Sequence, residues 1–309
     1  MLPLDPRVQA LLEQRAVLGE PPLNTLTPTQ ARANAEARPP ATGPEVANVE
    51  DRTIPGPAGE IPVRIYTPSG TGLFPTLVYF HGGGWVVGTL DMSDGTCRNL
   101  CVGGECVVIS VDYRLAPEAK FPAAADDCYA VTEWVSRNAS TIGAKPDRIA
   151  VGGGSAGANL AAAVCLMTLD REGPALAFQL LIYPVTDSNF ETASYRENAD
   201  GYMLTRDSMI WYWDQYLSSP SEASNPYAAP LQARGLGGLP PALVMTAEFD
   251  PLRDEGEAYA HRLEAAGVPT QCVRYDGMVH GFFGMHDSVD KAREAVTHAS
   301  AALRSAFAR

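Results

Sequence analysis

The chain has no run of about 18 apolar residues, so no membrane-spanning helix is expected. Positive charge is short. There are 23 Lys and Arg against 36 Asp and Glu, a formal net charge of −13. Such a surface favours solubility and argues against nucleic acid or anionic membrane as a partner. The opening Met1-Leu2-Pro3-Leu4-Asp5-Pro6 lacks a basic stretch followed by an apolar core, so no secretory signal and a cytoplasmic location are expected. Cysteine is sparse, with six residues. Cys106, Cys165 and Cys272 lie in strongly apolar runs and read as small core residues. Cys97 and Cys101 are spaced to share a helix face, but no second ligand pair follows, which favours reduced thiols over a zinc site. With only five histidines, the search for a catalytic base is short.

What is present is 309 residues with 46% hydrophobic content, enough for a large core built as one α/β domain with an appendage. Residues 5–19 read as an amphipathic helix with Val8, Leu11, Leu12 and Leu18 on one side, and Thr27-Pro28 opens a second helix reaching about Arg38. Strands are expected at Glu60–Tyr66, Pro75–Phe80, Glu105–Val111, Arg148–Val151, Phe178–Tyr183, Ala242–Thr246 and Gln271–Tyr275. Helices are expected at Ala123–Ser136, after Ser155, at Arg253–Ala266 and at Asp287–Phe307. Short strands alternating with helices imply a mostly parallel sheet covered on both faces, with ligands at the carboxyl ends of its strands. Residues 187–234 break the alternation and hold Tyr195, Tyr202, Met203, Trp211, Tyr212, Trp213 and Tyr216. So long a bare loop is improbable, so the segment reads as a helical insertion that packs with residues 1–45 as a cap. The division expected is 1–45 as N-terminal cap helices, 46–186 as the first part of the core, 187–234 as the cap insertion and 235–309 as the rest of the core.

Ser155 stands in Gly153-Gly154-Ser155-Ala156-Gly157, between an apolar strand and a run of small helical residues. A strand–turn–helix corner lifts a serine hydroxyl out of the sheet, and the helix that follows aims N–H groups at an oxyanion. An acyl-transfer serine needs a base, an orienting acid and oxyanion donors. His261 and His298 sit in helical repeats and read as surface residues. His280 follows the Gln271–Tyr275 strand, in a loop at the same end of the sheet as Ser155, and His286 is the alternative. In a Ser, Asp, His order the acid lies upstream. Asp250 follows the Ala242–Thr246 strand, with Glu248 and Asp254 as competitors; Asp254 falls in the first turn of a helix, where a carboxylate suits the dipole anyway. The glycines of Phe80-His81-Gly82-Gly83-Gly84-Trp85 let backbone N–H groups turn inward, and the N–H of Ala156 is the other expected donor.

Taken in order, His81-Gly82-Gly83-Gly84-Trp85, Asp112–Glu118, Gly153–Gly157, Asp250–Asp254 and His280-Gly281-Phe282 resemble the hormone-sensitive-lipase-like branch of the α/β-hydrolases, the bacterial family IV carboxylesterases. The resemblance covers roughly residues 45 to 285. It implies an α/β-hydrolase fold with a helical cap, Ser155 as nucleophile, Asp250 as acid, His280 as base, and Gly83, Gly84 and Ala156 as the oxyanion hole. His81 and Gly82 then support the site. Trp85, Tyr183, Tyr195 and Met203, with Trp211, Tyr212 and Phe282, are the expected substrate contacts. One departure is visible: members commonly carry Asp, Glu or Thr before the serine, and here Gly154 stands there.

The expected reaction is hydrolysis of short- to medium-chain acyl esters through an acyl-enzyme, without metal or organic cofactor, by a monomer or homodimer. The same residues would serve an amide, formamide or lactone hydrolase. A non-catalytic receptor on this scaffold is a further alternative, although such receptors usually lose the base that His280 represents.

Overall fold

The computed structural model describes residues 3–308; Met1 and Leu2, the start of the stretch read for a leader, and Arg309 lie outside the described residues. The chain opens with α1 (Pro6–Leu18) and α2 (Pro28–Glu36). The Asp5 carboxylate caps α1 by accepting the Arg7 N–H, and Thr27 and Gln30 form a reciprocal capping box on α2. Only Val8 of α1 is buried, and Leu18 is 72% exposed. The amphipathic face expected through Leu18 therefore stops short, because the chain turns away at Gly19 (φ 62°).

An antiparallel hairpin follows, β1 (Asn48–Gly56) and β2 (Gly59–Thr67). Then come β3 (Phe74–Phe80), α3 (Asp94–Gly104), β4 (Val107–Val111), α4 (Ala123–Asn138), β5 (Ala144–Gly154), α5 (Ala156–Asp170) and β6 (Phe178–Ile182). Between β6 and the next strand lie α6 (Ala193–Glu197), α7 (Arg206–Tyr216) and two short 3-10 turns. The chain closes with β7 (Ala242–Phe249), α8 (Arg253–Ala265), β8 (Thr270–Val279) and α9 (Asp290–Phe307).

The eight strands form one sheet in the order β1-β2-β4-β3-β5-β6-β7-β8, parallel from β4 to β8. Strand residues alternate between two cores. Val78, Ile109, Val151, Leu181 and Val244 pack with α4, α5 and α8, whereas Leu77, Val108, Ala150, Leu180 and Leu243 pack with α3 and α9. All of these side chains are wholly buried, and each Val, Leu and Ile among them contributes about 1.5–3 kcal/mol. All six cysteines are free. Cys97 and Cys101 are buried on α3, and Cys272, expected in the core, is only partly buried because β8 is the edge strand. Among the described residues no helix is long and apolar enough to cross a membrane.

Several elements differ from the sequence expectation: α3 is not among the expected helices, β5 and β7 run on to Gly154 and Phe249, and β1 and β8 depart for reasons of burial and pairing. β1 is an edge strand whose only fully covered side chain is Ile54, so it carries little of the apolar alternation that marks a strand. β8 runs on past Tyr275 to Val279, because Asp276-Gly277, a turn signal, forms a bulge instead. Gly277 takes φ 77° and donates its N–H to Glu248 Oε2 at 2.8 Å, after which pairing resumes at Phe249 with Val279.

Candidate active site

The parallel register brings five strand ends to one rim. β3 ends at Phe80, β5 at Gly154, β6 at Ile182, β7 at Phe249 and β8 at Val279, so the next residues are His81, Ser155, Tyr183, Asp250 and His280. Each functional candidate thus leaves the sheet at its carboxyl edge. His280 follows the strand directly rather than lying in a loop beyond it, as a consequence of the bulge.

Ser155 adopts φ 56°, ψ −120°, a backbone conformation that a side chain strains to hold. The corner is enforced by close packing. A Cβ on Gly157 would lie 1.9 Å from the Phe80 carbonyl oxygen, and one on Gly153 would lie 2.4 Å from it. The Ser155 hydroxyl lies 3.0 Å from His280 Nε2, and His280 Nδ1 lies 2.7 Å from Asp250 Oδ2. A carboxylate only accepts, so Nδ1 carries the proton and Nε2 is free to accept from the hydroxyl. The other oxygen of Asp250 accepts the Leu252 N–H at 2.9 Å, and its side chain is fully buried. Asn198 of the insertion donates Nδ2 to the Asp250 carbonyl at 3.4 Å.

The competitors sit elsewhere. Glu248 serves the β8 bulge, and Asp254 accepts the Ser194 N–H at 2.7 Å. His286 is held by the Thr42 carbonyl and Asn99, beside a separate cavity of about 380 Å³ lined by neither Ser155 nor Asp250. His261 is exposed and His298 half-buried.

His81 stacks on Tyr113 with ring centroids 4.3 Å apart, and its Nδ1–H donates to the Gly82 carbonyl at 2.8 Å. Burial pushes its pKa down to about 4, against the weaker opposite pull of that bond, so the ring is neutral at pH 7. The Tyr113 hydroxyl donates to the His81 carbonyl at 2.8 Å. Gly83 and Gly84 both take positive φ, and the Gly83 carbonyl accepts from Val86 and Val87, which folds the loop back on itself. Ala156 is the first residue of α5, where a helix N–H has no partner within its own helix.

The expected substrate contacts divide. Tyr183 and Tyr212 are each 9% exposed; Tyr183 lies 4.6 Å from the His280 ring, and Tyr212 lies against Gly84. Trp211 and Met203 are partly buried. Trp85, Tyr195 and Phe282 are fully buried and present no accessible surface to a substrate. Trp85 stacks on Tyr216 at 4.1 Å, Tyr195 packs edge-on to Phe190, and Phe282 packs against Tyr183 and Tyr275. For these three the expectation of substrate contact is corrected: they are packing residues beneath the site. Asn198, which touches Asp250 across 52 residues of sequence, was missed because no local spacing signals that contact.

This sheet, with a serine at its central corner, defines an α/β-hydrolase. A family profile described as alpha/beta hydrolase fold matches residues 77–284. The chain is 42% identical to carboxylic ester hydrolase LipN of Mycobacterium tuberculosis, over 99% of this chain and 84% of that protein. It superposes on an ester hydrolase from the Lake Arreo metagenome, solved with a bipyridine phosphonate derivative, with a TM-score of 0.95 at 43% identity over 99% of this chain and 100% of the other. It also matches the hyperthermophilic esterase of the archaeon Pyrobaculum calidifontis with a TM-score of 0.92 at 42% identity, covering 98% and 99% of the two chains. The chain belongs to the hormone-sensitive-lipase-like carboxylesterases, and is a carboxylic ester hydrolase of that family.

Proposed function

We propose that Ser155, His280 and Asp250 perform the esterase reaction as a catalytic triad. The observation that carries this reading is the unbroken hydrogen-bond series from hydroxyl through imidazole to carboxylate, at 3.0 and 2.7 Å. His280 Nε2 takes the hydroxyl proton as Ser155 Oγ bonds to the ester carbonyl carbon. Asp250 keeps the Nδ1 proton in place and stabilises the imidazolium. The N–H groups of Gly83, Gly84 and Ala156 receive the carbonyl oxygen as it gains charge. The tetrahedral species collapses, the bond to the alkoxy oxygen breaks, and His280 returns its proton to the departing alcohol. Water then attacks the acyl-enzyme by the same route and frees Ser155. Residues 1–45 and 187–234 form the cap over this centre, and the core is residues 46–186 with 235–309.

Ser155→Ala is expected to lower kcat on p-nitrophenyl acetate by about four to six orders of magnitude, because triad members act as one unit. A fluorophosphonate probe is expected to label the parent at Ser155 and to leave the variant unlabelled. Substantial esterase turnover in the variant would refute the assignment.

A further inference from the structure

Two hydrogen bonds hold His280 along a single axis, from Asp250 through the ring to Ser155. Those bonds alone do not stop the ring from swinging about its own side-chain torsions, a motion that breaks both of them, so its orientation also depends on the surfaces packed on either side. One such surface is Tyr183. Its ring centroid lies 4.6 Å from that of His280 at an interplanar angle of 56°, and Phe282 backs it edge-on at 5.8 Å. Its backbone is held at φ 37°, unfavourable for a bulky side chain, and its N–H is anchored to the Met245 carbonyl at 2.6 Å. Strain of this kind persists where the surroundings determine the position, and it clusters at working sites. The phenol ring also occupies space that residue 154 would otherwise fill. A Cβ added to Gly154 would lie 3.2 Å from Tyr183 Cε2 and 3.4 Å from its hydroxyl. The missing side chain before the nucleophile and the ring beside the base are therefore complementary.

We propose that Tyr183 is a positioning residue for the base: its ring, seated in the gap left by Gly154, is the wall that keeps the His280 imidazole turned toward Ser155. The proposal rests on the triad reading. Ser155→Ala tests that reading alone, and the variants below test only the wall. What is required is a flat, rigid face, so the hydroxyl is dispensable. Burial, with the nearby Asp250 charge adding to it, raises the phenol's pKa and keeps the ring neutral.

Tyr183→Phe is expected to keep kcat within about threefold of the parent. Tyr183→Ala is expected to lower kcat by about tenfold to a hundredfold with KM changed far less, the penalty for a reacting group misplaced by about an ångström. The loss should be equal for acetyl and butyryl esters, and inactivation by the fluorophosphonate should slow in parallel. Gly154→Thr, which pushes on the ring, is expected to lower kcat in the parent and to add little in a Tyr183→Ala background. Melting curves identify any variant that does not fold. If Tyr183→Ala is one, Tyr183→Leu replaces it, and Gly154→Thr tests the wall with the tyrosine intact. The proposal is overturned if kcat is retained while KM or acyl-chain preference moves, if Tyr183→Phe is as damaged as Tyr183→Ala, or if the two positions act additively.

Discussion

Glu255 lies five residues beyond Asp250, is 2% exposed, and accepts backbone N–H bonds from Thr186 at 2.7 Å and Asp187 at 3.3 Å. Burial is the dominant effect and pushes its pKa well above the ordinary carboxyl value; the two N–H bonds pull the other way, and the charges of Asp187 and Asp250 add to the rise. The folded protein therefore keeps this proton at pH values where the unfolded chain has released it, and stability falls as pH climbs above about 4.5. Glu255→Gln retains the acceptor oxygen and has no charge to desolvate. Its melting temperature is expected to exceed the parent's at pH 8, with the gain disappearing toward pH 4.5; an equal gain at both would mean that charge burial is not its cause. His81 acts with the opposite sign. Between about 6.5 and about 4 the unfolded chain binds a proton that the buried ring refuses, so its share of stability is lost on acidification through that window. At this scale the placement of Ser155, Asp250 and His280 at strand ends was legible because each follows a strand within a distinctive short motif. The contacts of Asn198 with Asp250 and of Tyr183 with His280 were not, because they join separate elements and no spacing encodes them.

Helix α7 sets the position of the glycine loop. A Cβ on Gly84 would lie 2.1 Å from Tyr212 Cδ1, and Gly84 is held at φ 58°. The next residue, Trp85, stacks on Tyr216 and meets Trp213 edge-on at 5.0 Å, so the loop that follows β3 is gripped by one face of α7. Gly84→Ala must displace Tyr212 or shift the loop's N–H groups. It is expected to cut kcat by about 10²–10³, the scale of losing one oxyanion donor, while KM moves less. Parent-level kcat in that variant would show that the loop tolerates the added methyl. Adding Tyr212→Ala is expected to recover part of the loss. The glycine run itself was legible in sequence; that α7 is what packs on it was not, since 128 positions separate Gly84 and Tyr212. Strand legibility followed burial. Strands covered on both faces, such as β4 and β6, stood out, whereas the polar edge strand β1 and the bulged end of β8 did not.

Across the whole molecule, two segments far apart in sequence are tied to the sheet and to each other. From the N-terminal segment, Asp5 donates its N–H to the Gly277 carbonyl in the β8 bulge at 3.0 Å. Arg15 reaches Met203 Sδ in the insertion at 2.9 Å, and Arg32 donates to the Val86 and Ala116 carbonyls at 2.8 Å each. From the core side, Asn159 donates Nδ2 to the carbonyls of Val185, just before the insertion, and Ala228, within its later part. These ties knit the proposed cap to the sheet and to itself, and Ser155 beneath it is only 9% exposed. An acyl group on Ser155 must clear the Gly84–Tyr212 contact, which is fixed by the packed rings of α7 rather than by an adaptable loop. A site bounded that way is expected to favour short acyl chains, because added methylenes must displace packed rings. In a series of p-nitrophenyl esters, kcat/KM is expected to peak at acyl chains well short of about ten carbons and to fall beyond the optimum. A maximum at or above that length would mean that the cap opens far wider than these contacts allow, and would remove the case for a small acyl site.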